Sequence, residues 1–215
     1  MIGRIANMKK HFIFTVSLCL ASAFPILGQG HDRFEGWCDS LQDASPPDLV
    51  QFLNAVTPDE TNSHCVALAI HKLGTARYEA AIAPLLRLLD FRRPPTSQEK
   101  AGFPDPGGIK GVWDLYPSVG ALDLIGKKAL PGVLSAIEAD STSSLARENA
   151  VAVWMEIYRQ RDGQPKAVGL LKQEEIKTKD EAIKQRLRGA VRSALTHCNP
   201  SEETACRQAA DGAAL

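Results

Sequence analysis

Ala69-Ile70-His71-Lys72-Leu73-Gly74, a short turn, then Ala81-Ile82-Ala83-Pro84-Leu85-Leu86: this stretch recurs as Ala121-Leu122-Asp123-Leu124-Ile125-Gly126, a shorter turn, and Ala129-Leu130-Pro131-Gly132-Val133-Leu134. Each copy reads as a helix, a glycine stop and a second helix. A helical hairpin that repeats cannot bury its apolar edge alone, so successive copies are expected to stack.

The flanking sequence continues the pattern. Phe34, Trp37, Cys38 and Leu41 follow the i, i+3, i+4, i+7 spacing of an amphipathic helix. Ser45-Pro46-Pro47 starts a helix with the stripe Leu49, Phe52, Leu53 and Val56. Thr57 and Glu60 are placed as a capping box for the helix carrying Val66, Ala69, Ile70 and Leu73, which Gly74 ends. Its partner carries Ile82, Leu85, Leu86 and Leu89; the second copy carries Val119, Leu122 and Ile125, then Leu130, Val133, Leu134 and Ile137. A fainter third pair begins at Asp140-Ser141 and carries Leu145, Ala150, Val153, Trp154 and Ile157, followed by Val168 and Leu171. A further helix opens at a Thr178/Glu181 capping box, with Ile183, Leu187, Ala190, Val191, Ala194 and Leu195 inward, and a short helix from Pro200 to about Ala210 closes the chain. No stretch alternates like a strand, so the expected class is all-α.

Residues 91 to 117 break the pattern. Five prolines and four glycines rule out regular structure there and make it a long insertion loop. Phe91, Phe103, Trp113 and Tyr116 argue that it folds back on the helices. Charged and aromatic residues on a loop over a rigid scaffold suit binding, which makes Lys100, Asp105, Lys110, Trp113, Asp114 and Tyr116 the candidate partner-binding residues. The bland alternative is a loop that merely covers the gap between the two copies. His71 reads as an exposed helix histidine, Arg92-Arg93 as a solvated pair at a helix end, and Glu174, Glu175, Lys177 and Lys179 as a solvated face.

Residues 1 to 30 read as a secretory signal peptide. Lys9-Lys10 precedes a mostly apolar run over residues 11 to 20, and small residues follow at Ala21-Ser22-Ala23 and at Gly28 and Gly30. The run is too short to span a bilayer, and Leu18 before Cys19 is the wrong residue for a lipid anchor. Residues 31 to 215 then form one domain. Removal of residues 1 to 30 takes three of the 25 basic residues and none of the 25 acidic ones, leaving a formal charge of −3. No basic stripe offers a nucleic-acid surface.

Export leaves Cys38, Cys65, Cys198 and Cys206, an even number in an oxidising compartment. Four cysteines allow three connectivities. The turn at Asn199-Pro200 favours Cys198 with Cys206, leaving Cys38 for Cys65. The competing use is zinc, through His64-Cys65 and His197-Cys198, but adjacent helical residues diverge by about 100° and no chelating spacing supports it.

The sequence Ala, then Leu or Ile, then Gly, then Ala-x-Pro-x-Leu-Leu resembles HEAT repeats of the armadillo-like α-solenoid family. Ala69, Leu73, Gly74, Pro84, Leu85 and Leu86 carry the resemblance in the first copy, and Ala121, Ile125, Gly126, Pro131, Val133 and Leu134 in the second, with Pro131 one place early. In the third, Val153 and Ile157 fit, but Tyr158 replaces the glycine. The resemblance spans about residues 61 to 195. It implies a short right-handed α-solenoid with a concave face free to bind. It also implies a non-catalytic scaffold or protein-binding module, here secreted or periplasmic, whose partner is another protein or a cell-envelope component. HEAT repeats share no catalytic residues, so none is transferred. No metalloprotease, P-loop, dinucleotide or hydrolase-elbow motif is present, and no cofactor or metal is expected. The alternatives are a lyase or hydrolase that uses the groove and the 91–117 loop, with Asp105, Asp114 and His71 as the titratable groups to watch, and a purely structural envelope protein.

Overall fold

The computed structural model describes residues 33 to 95 and 112 to 212, and no strand occurs among them. The helices are α1 (Arg33–Gln42), α2 (Pro46–Ala55), α3 (Ser63–Thr75), α4 (Ile82–Arg87), α5 (Val112–Leu115), α6 (Pro117–Ile125), α7 (Leu130–Glu138), α8 (Ser144–Arg159), α9 (Gln164–Lys177), α10 (Glu181–Thr196) and α11 (Glu203–Ala210). Single 3-10 turns, Glu79–Ala81 and Gly126–Ala129, lead into α4 and α7. The expected signal peptide and the candidates Lys100, Asp105 and Lys110 lie outside the described residues.

Helix starts follow local chemistry, and several differ from the sequence expectation. Pro46 opens α2 directly after Ser45, as read. The helix α3 starts later than Thr57, because the Asp59 carboxylate holds a turn instead: its Oδ1 accepts from Thr61 N, Thr61 Oγ1 and Asn62 N at 2.8, 2.6 and 3.0 Å. The Thr57/Glu60 capping box is therefore not what opens the helix. Ser143, not Asp140 or Ser141, caps α8 by accepting from Ala146 N at 3.1 Å. Asp180, not Thr178, caps α10, accepting from Ala182 N and Ile183 N. At α8 and α10 a side-chain oxygen satisfies amides that the first helical turn leaves open.

The two repeat glycines do different jobs. Gly126 ends α6 at φ 78°, a conformation that penalises a side chain. Gly74 lies inside the last turn of α3, and the left-handed position there is taken by Arg77 at φ 50°. Tyr78 N donates to Leu73 O at 3.1 Å and Arg77 N to Gly74 O at 2.9 Å, the paired bonds of a Schellman stop. Gly74 is needed for packing: a Cβ there would sit 2.6 Å from Ala121 Cα. Likewise a Cβ on Gly132 would meet Leu86 Cδ1 at 2.5 Å. So α3 lies tightly on α6 and α4 on α7, first helix to first and second to second.

The expected stripes form the core. Leu53, Val66, Ala69, Ile70, Leu73, Leu85, Leu89, Val119, Leu122, Val133, Ile137, Val153, Val168, Leu171 and Leu187 are fully or almost fully buried. At about 25 cal/mol per Å², each Val, Leu or Ile among them contributes on the order of 2 kcal/mol relative to exposure, and Ala69 less. Leu145 departs from the expectation and is 38% exposed at the start of α8. Beyond the repeats, α1 and α2 pack on α3, α8 on both α6 and α7, α9 on α8 and α10, and α11 on α9 and α10.

Helix C-termini are tied down by side chains from other helices. Lys72 of α3 donates to the carbonyls of Leu41 and Gln42 at the end of α1, and Arg87 of α4 to Leu53 O of α2. Arg147 of α8 reaches Ile137 O, Ala139 O and Thr142 O at 3.0, 2.9 and 3.0 Å, closing α7. Arg186 of α10 donates to Glu138 O at 2.6 Å. A cation at a helix C-terminus both satisfies orphan carbonyls and opposes the helix dipole. Buried Asn149 does the neutral version, donating to Leu89 O at 2.7 Å just beyond α4. Glu175, read as solvated, is buried instead, with Lys172 at 3.0 Å and Arg188 at 3.1 Å. These two partners hold its carboxyl below the usual range against the opposing pull of burial.

Cys38 pairs with Cys65 and Cys198 with Cys206, at Cα separations of 5.0 and 6.7 Å. The first ties α1 to α3 and the second ties the end of α10 to α11. Buried Gln164 braces the second link: its Nε2 donates to His197 O at 2.8 Å and its Oε1 accepts from Asn199 N at 2.7 Å. Both cysteines of the His-Cys dipeptides are thereby used as disulfides rather than as zinc ligands.

Candidate binding surface on α5, α6 and α8

The C-terminal part of the insertion is not loop throughout. Residues 112 to 115 make one helical turn, α5, because Val112-Trp113-Asp114-Leu115 contains no proline or glycine and Pro117 then fixes the start of α6. The Arg92-Arg93 pair is not at a helix end, since α4 stops at Arg87 and residues 91 to 95 are irregular. Arg93 is a clasp. Its backbone N donates to Leu115 O at 3.0 Å, its Nε to Asp114 O and its Nη1 to Pro94 O at 2.9 Å. Residues 93 and 114–115, on either side of the insertion, are thus held together.

This clasp fixes Trp113. Trp113 packs close to Gly120, whose Cβ position would lie at ordinary contact distance, 3.5 Å, from Trp113 Cβ, so α5 rests on α6. Trp113 remains 41% exposed, and the Arg159 guanidinium of α8 stands over its ring, 5.7 Å from the centroid. Glu156, one turn back on α8, holds Arg159 in place by accepting from Nη2 at 2.6 Å and Nε at 2.7 Å. Asp114 is exposed and Tyr116 half-buried against the core. Of the sequence candidates, Trp113, Asp114 and Tyr116 therefore come together on α5 and the start of α6, and only Trp113 presents a large apolar face to solvent.

One turn along α6 lies Asp123, buried to 9% exposure. Its two oxygens accept from Gln160 Nε2 at 2.9 and 3.2 Å. Burial first, then Glu156, pushes its carboxyl above the usual range, with Arg159 and Gln160 pulling the other way. Leu124 beside it is 44% exposed. A small recess of about 80 Å³ between Asp123, Leu124 and Gln160 also has Arg77 and Arg161 on its walls. Glu156 acts in a third direction too, on His197, whose Nε2 is buried without a hydrogen-bond partner among the described residues. Burial lowers the His197 pKa, and Glu148 and Glu156 offset part of that.

The sequence alone assigns no binding role to Asp123, Gln160 or Arg159. Asp123 and Gln160 are 37 positions apart, and only the charge inside the apolar run Ala-Leu-Asp-Leu-Ile marked Asp123 as unusual. A larger cleft of about 780 Å³ runs between the start of α3 and residues 91 to 95, past Asp59, His64, Phe91 and Arg92. His71 is exposed on α3 and Asp114 on α5. Among the described residues no three His, Cys, Asp or Glu side chains gather as a metal site, and no helix is long and apolar enough to cross a membrane. The disulfides are compatible with an extracellular protein. Compared with family models, curated proteins and solved structures, the chain matches none.

Proposed function

We propose that this chain is an exported HEAT-like repeat protein that binds another protein or a cell-envelope component through the surface around Trp113, without catalysis. The solenoid reading is supported by like-to-like stacking: Gly74 against Ala121 and Leu86 against Gly132 join equivalent helices of the two repeat copies. The export reading is supported by two disulfides that staple opposite ends of the helical array. The binding reading is carried by one observation. Trp113 is an exposed aromatic ring held rigid between an arginine above it and a clasped backbone below it. A preset aromatic with a guanidinium on its face and an exposed leucine nearby matches the composition of interface hot spots, where Trp and Arg are enriched. Order in the free protein also lowers the entropy cost of association.

The test is affinity capture from the native source with immobilised protein, comparing wild type with Trp113→Ala and with Arg159→Gln. The expected result is a partner retained by wild type and reduced at least about thirtyfold by Trp113→Ala, in line with a hot spot of about 2 kcal/mol or more. Equal retention by wild type and Trp113→Ala would show that binding lies elsewhere.

A further inference from the structure

Lys72, Arg87, Arg147 and Arg186 each donate to carbonyls at the end of another helix. Arg77, just past the end of α3, and Arg161, just past the end of α8, do not. Both are exposed, and among the described residues neither side chain donates to a carbonyl or pairs with a carboxylate. The acids around them are engaged elsewhere. Asp123 accepts from Gln160 Nε2 at 2.9 Å, Glu156 holds Arg159 at 2.6 Å, and Asp162 pairs with Lys127 at 2.7 Å and Lys166 at 3.4 Å. Arg77 and Arg161 both wall the recess beside Leu124. Arg77 is also placed against local preference. Its φ of 50° is a conformation that glycine takes most readily, and the second copy uses Gly126 at its own left-handed stop.

We infer that this recess receives the carboxylate of an acidic side chain of the protein partner, while an apolar neighbour of that side chain lies on Leu124 and Trp113. The inference rests on the Trp113 reading above and gives the partner its chemistry: an Asp or Glu beside an apolar residue. Two arginines without a carboxylate of their own supply the complementary charge. A guanidinium matches a carboxylate with two parallel hydrogen bonds, which a lysine cannot do. At about 80 Å³ the recess is far below the roughly 300–1,000 Å³ of small-molecule pockets, so it takes the tip of a side chain rather than a free ligand. Leu124, 44% exposed, is on its wall and lies one turn, about 6 Å, along α6 from Gly120, against which Trp113 packs. An apolar strip therefore leads from Trp113 to the two arginines. The Asp123 carboxylate on the same wall is turned to Gln160, which shields the incoming anion from it.

The test is binding of the purified, oxidised protein to an array of short peptides in which one Glu, Gln or Lys stands beside a Leu or Trp. Wild type should favour the Glu peptides over their Gln counterparts by about tenfold, with the Lys peptides weakest. Arg77→Gly and Arg161→Gln should each reduce that preference, and the double variant should abolish it. Arg77→Gly should keep an equal or higher urea midpoint, because glycine suits the left-handed position, so lost preference cannot be put down to unfolding. Trp113→Ala should weaken Glu and Gln peptides alike, which separates the recess from the Trp113 surface: loss of the Glu preference alone reports the first, and loss of all binding the second. Wild type with no preference for Glu overturns the inference, as does a preference that survives in the double variant. A lower urea midpoint for Arg77→Gly with the preference unchanged assigns that arginine to the helix end and overturns it too. Inorganic phosphate should give no titration heat up to about 10 mM; tight phosphate binding that Arg77→Gly removes would make the recess a free-anion site instead.

Discussion

Ala121 occupies the space that a side chain on Gly74 would need: a Cβ at position 74 lies 2.6 Å from Ala121 Cα and 2.8 Å from its Cβ. The closest atom is backbone, so no rotamer change relieves the clash. Gly74→Ala should force α3 and α6 apart and cost about 1–3 kcal/mol, read as a lower urea midpoint. Ala121→Gly should not rescue it, because the Cα remains. Gly189→Ala is the control: nothing lies within 4 Å of a Cβ there. Helix propensity alone should then stabilise the protein by about 0.5–1 kcal/mol.

Arg147 closes α7 with three hydrogen bonds to Ile137, Ala139 and Thr142 carbonyls. Arg147→Ala should cost about 2–3 kcal/mol, the scale of lost bonds to a charged donor at partly buried carbonyls. Arg147→Lys should recover only part of it, since an ammonium lacks the planar fork that spans the three acceptors. Denaturant unfolding of the three proteins in parallel checks this.

His197 gives the acid response its sign. Burial lowers its pKa, so the folded chain takes up that proton less readily than the unfolded chain does. Its contribution is complete above about pH 6.5 and is lost as pH falls through the unfolded value toward the lower folded one. Asp162 and Glu175, whose carboxyls are held low, give up stability as pH falls below their ordinary values, whereas Asp123 and Glu138, held high, add stability as pH falls through their raised values above the ordinary ones. Between about pH 7.5 and 5.5 the loss should therefore track His197. His197→Gln should flatten stability against pH in that window; an unchanged slope would assign the loss to another group.

The two disulfides should differ in value. Cys38 and Cys65 are 27 residues apart, Cys198 and Cys206 only 8. Loop-closure entropy then gives about 3.5 kcal/mol for the first and about 2.5 kcal/mol for the second. Paired Cys→Ser replacements, each measured by urea unfolding, should rank in that order. The shorter loop is also braced by Gln164, so Gln164→Ala should weaken the second end further.

What could be read in advance followed the range of the forces involved. Apolar periodicity located every long helix, because burial of one stripe is encoded within a few turns of chain. Cysteine pairing was legible too, since the turn after Cys198 left one partner each. Helix starts fall two or more residues from the expected positions where several polar residues compete: Asp59 holds a turn ahead of α3, and Ser143 and Asp180 cap α8 and α10. Gly74 was read as a stop by its position in the motif, but its role depends on Ala121, 47 residues away. Glu175 reads as an ordinary surface charge because its partner Arg188 lies on another helix, and the tie from Asp123 to Gln160 likewise crosses between helices with no local signal. Trp113 was named from composition, yet its rigidity comes from Arg93 and Arg159, which no local pattern connects to it.

The stacking depends on the first helices of the two repeat copies lying against each other, and a nuclear Overhauser measurement on alanine-methyl-labelled protein tests that contact directly. A strong cross-peak between the Gly74 α-protons and the Ala121 methyl is the predicted result. Assigned resonances with no cross-peak between them would contradict it.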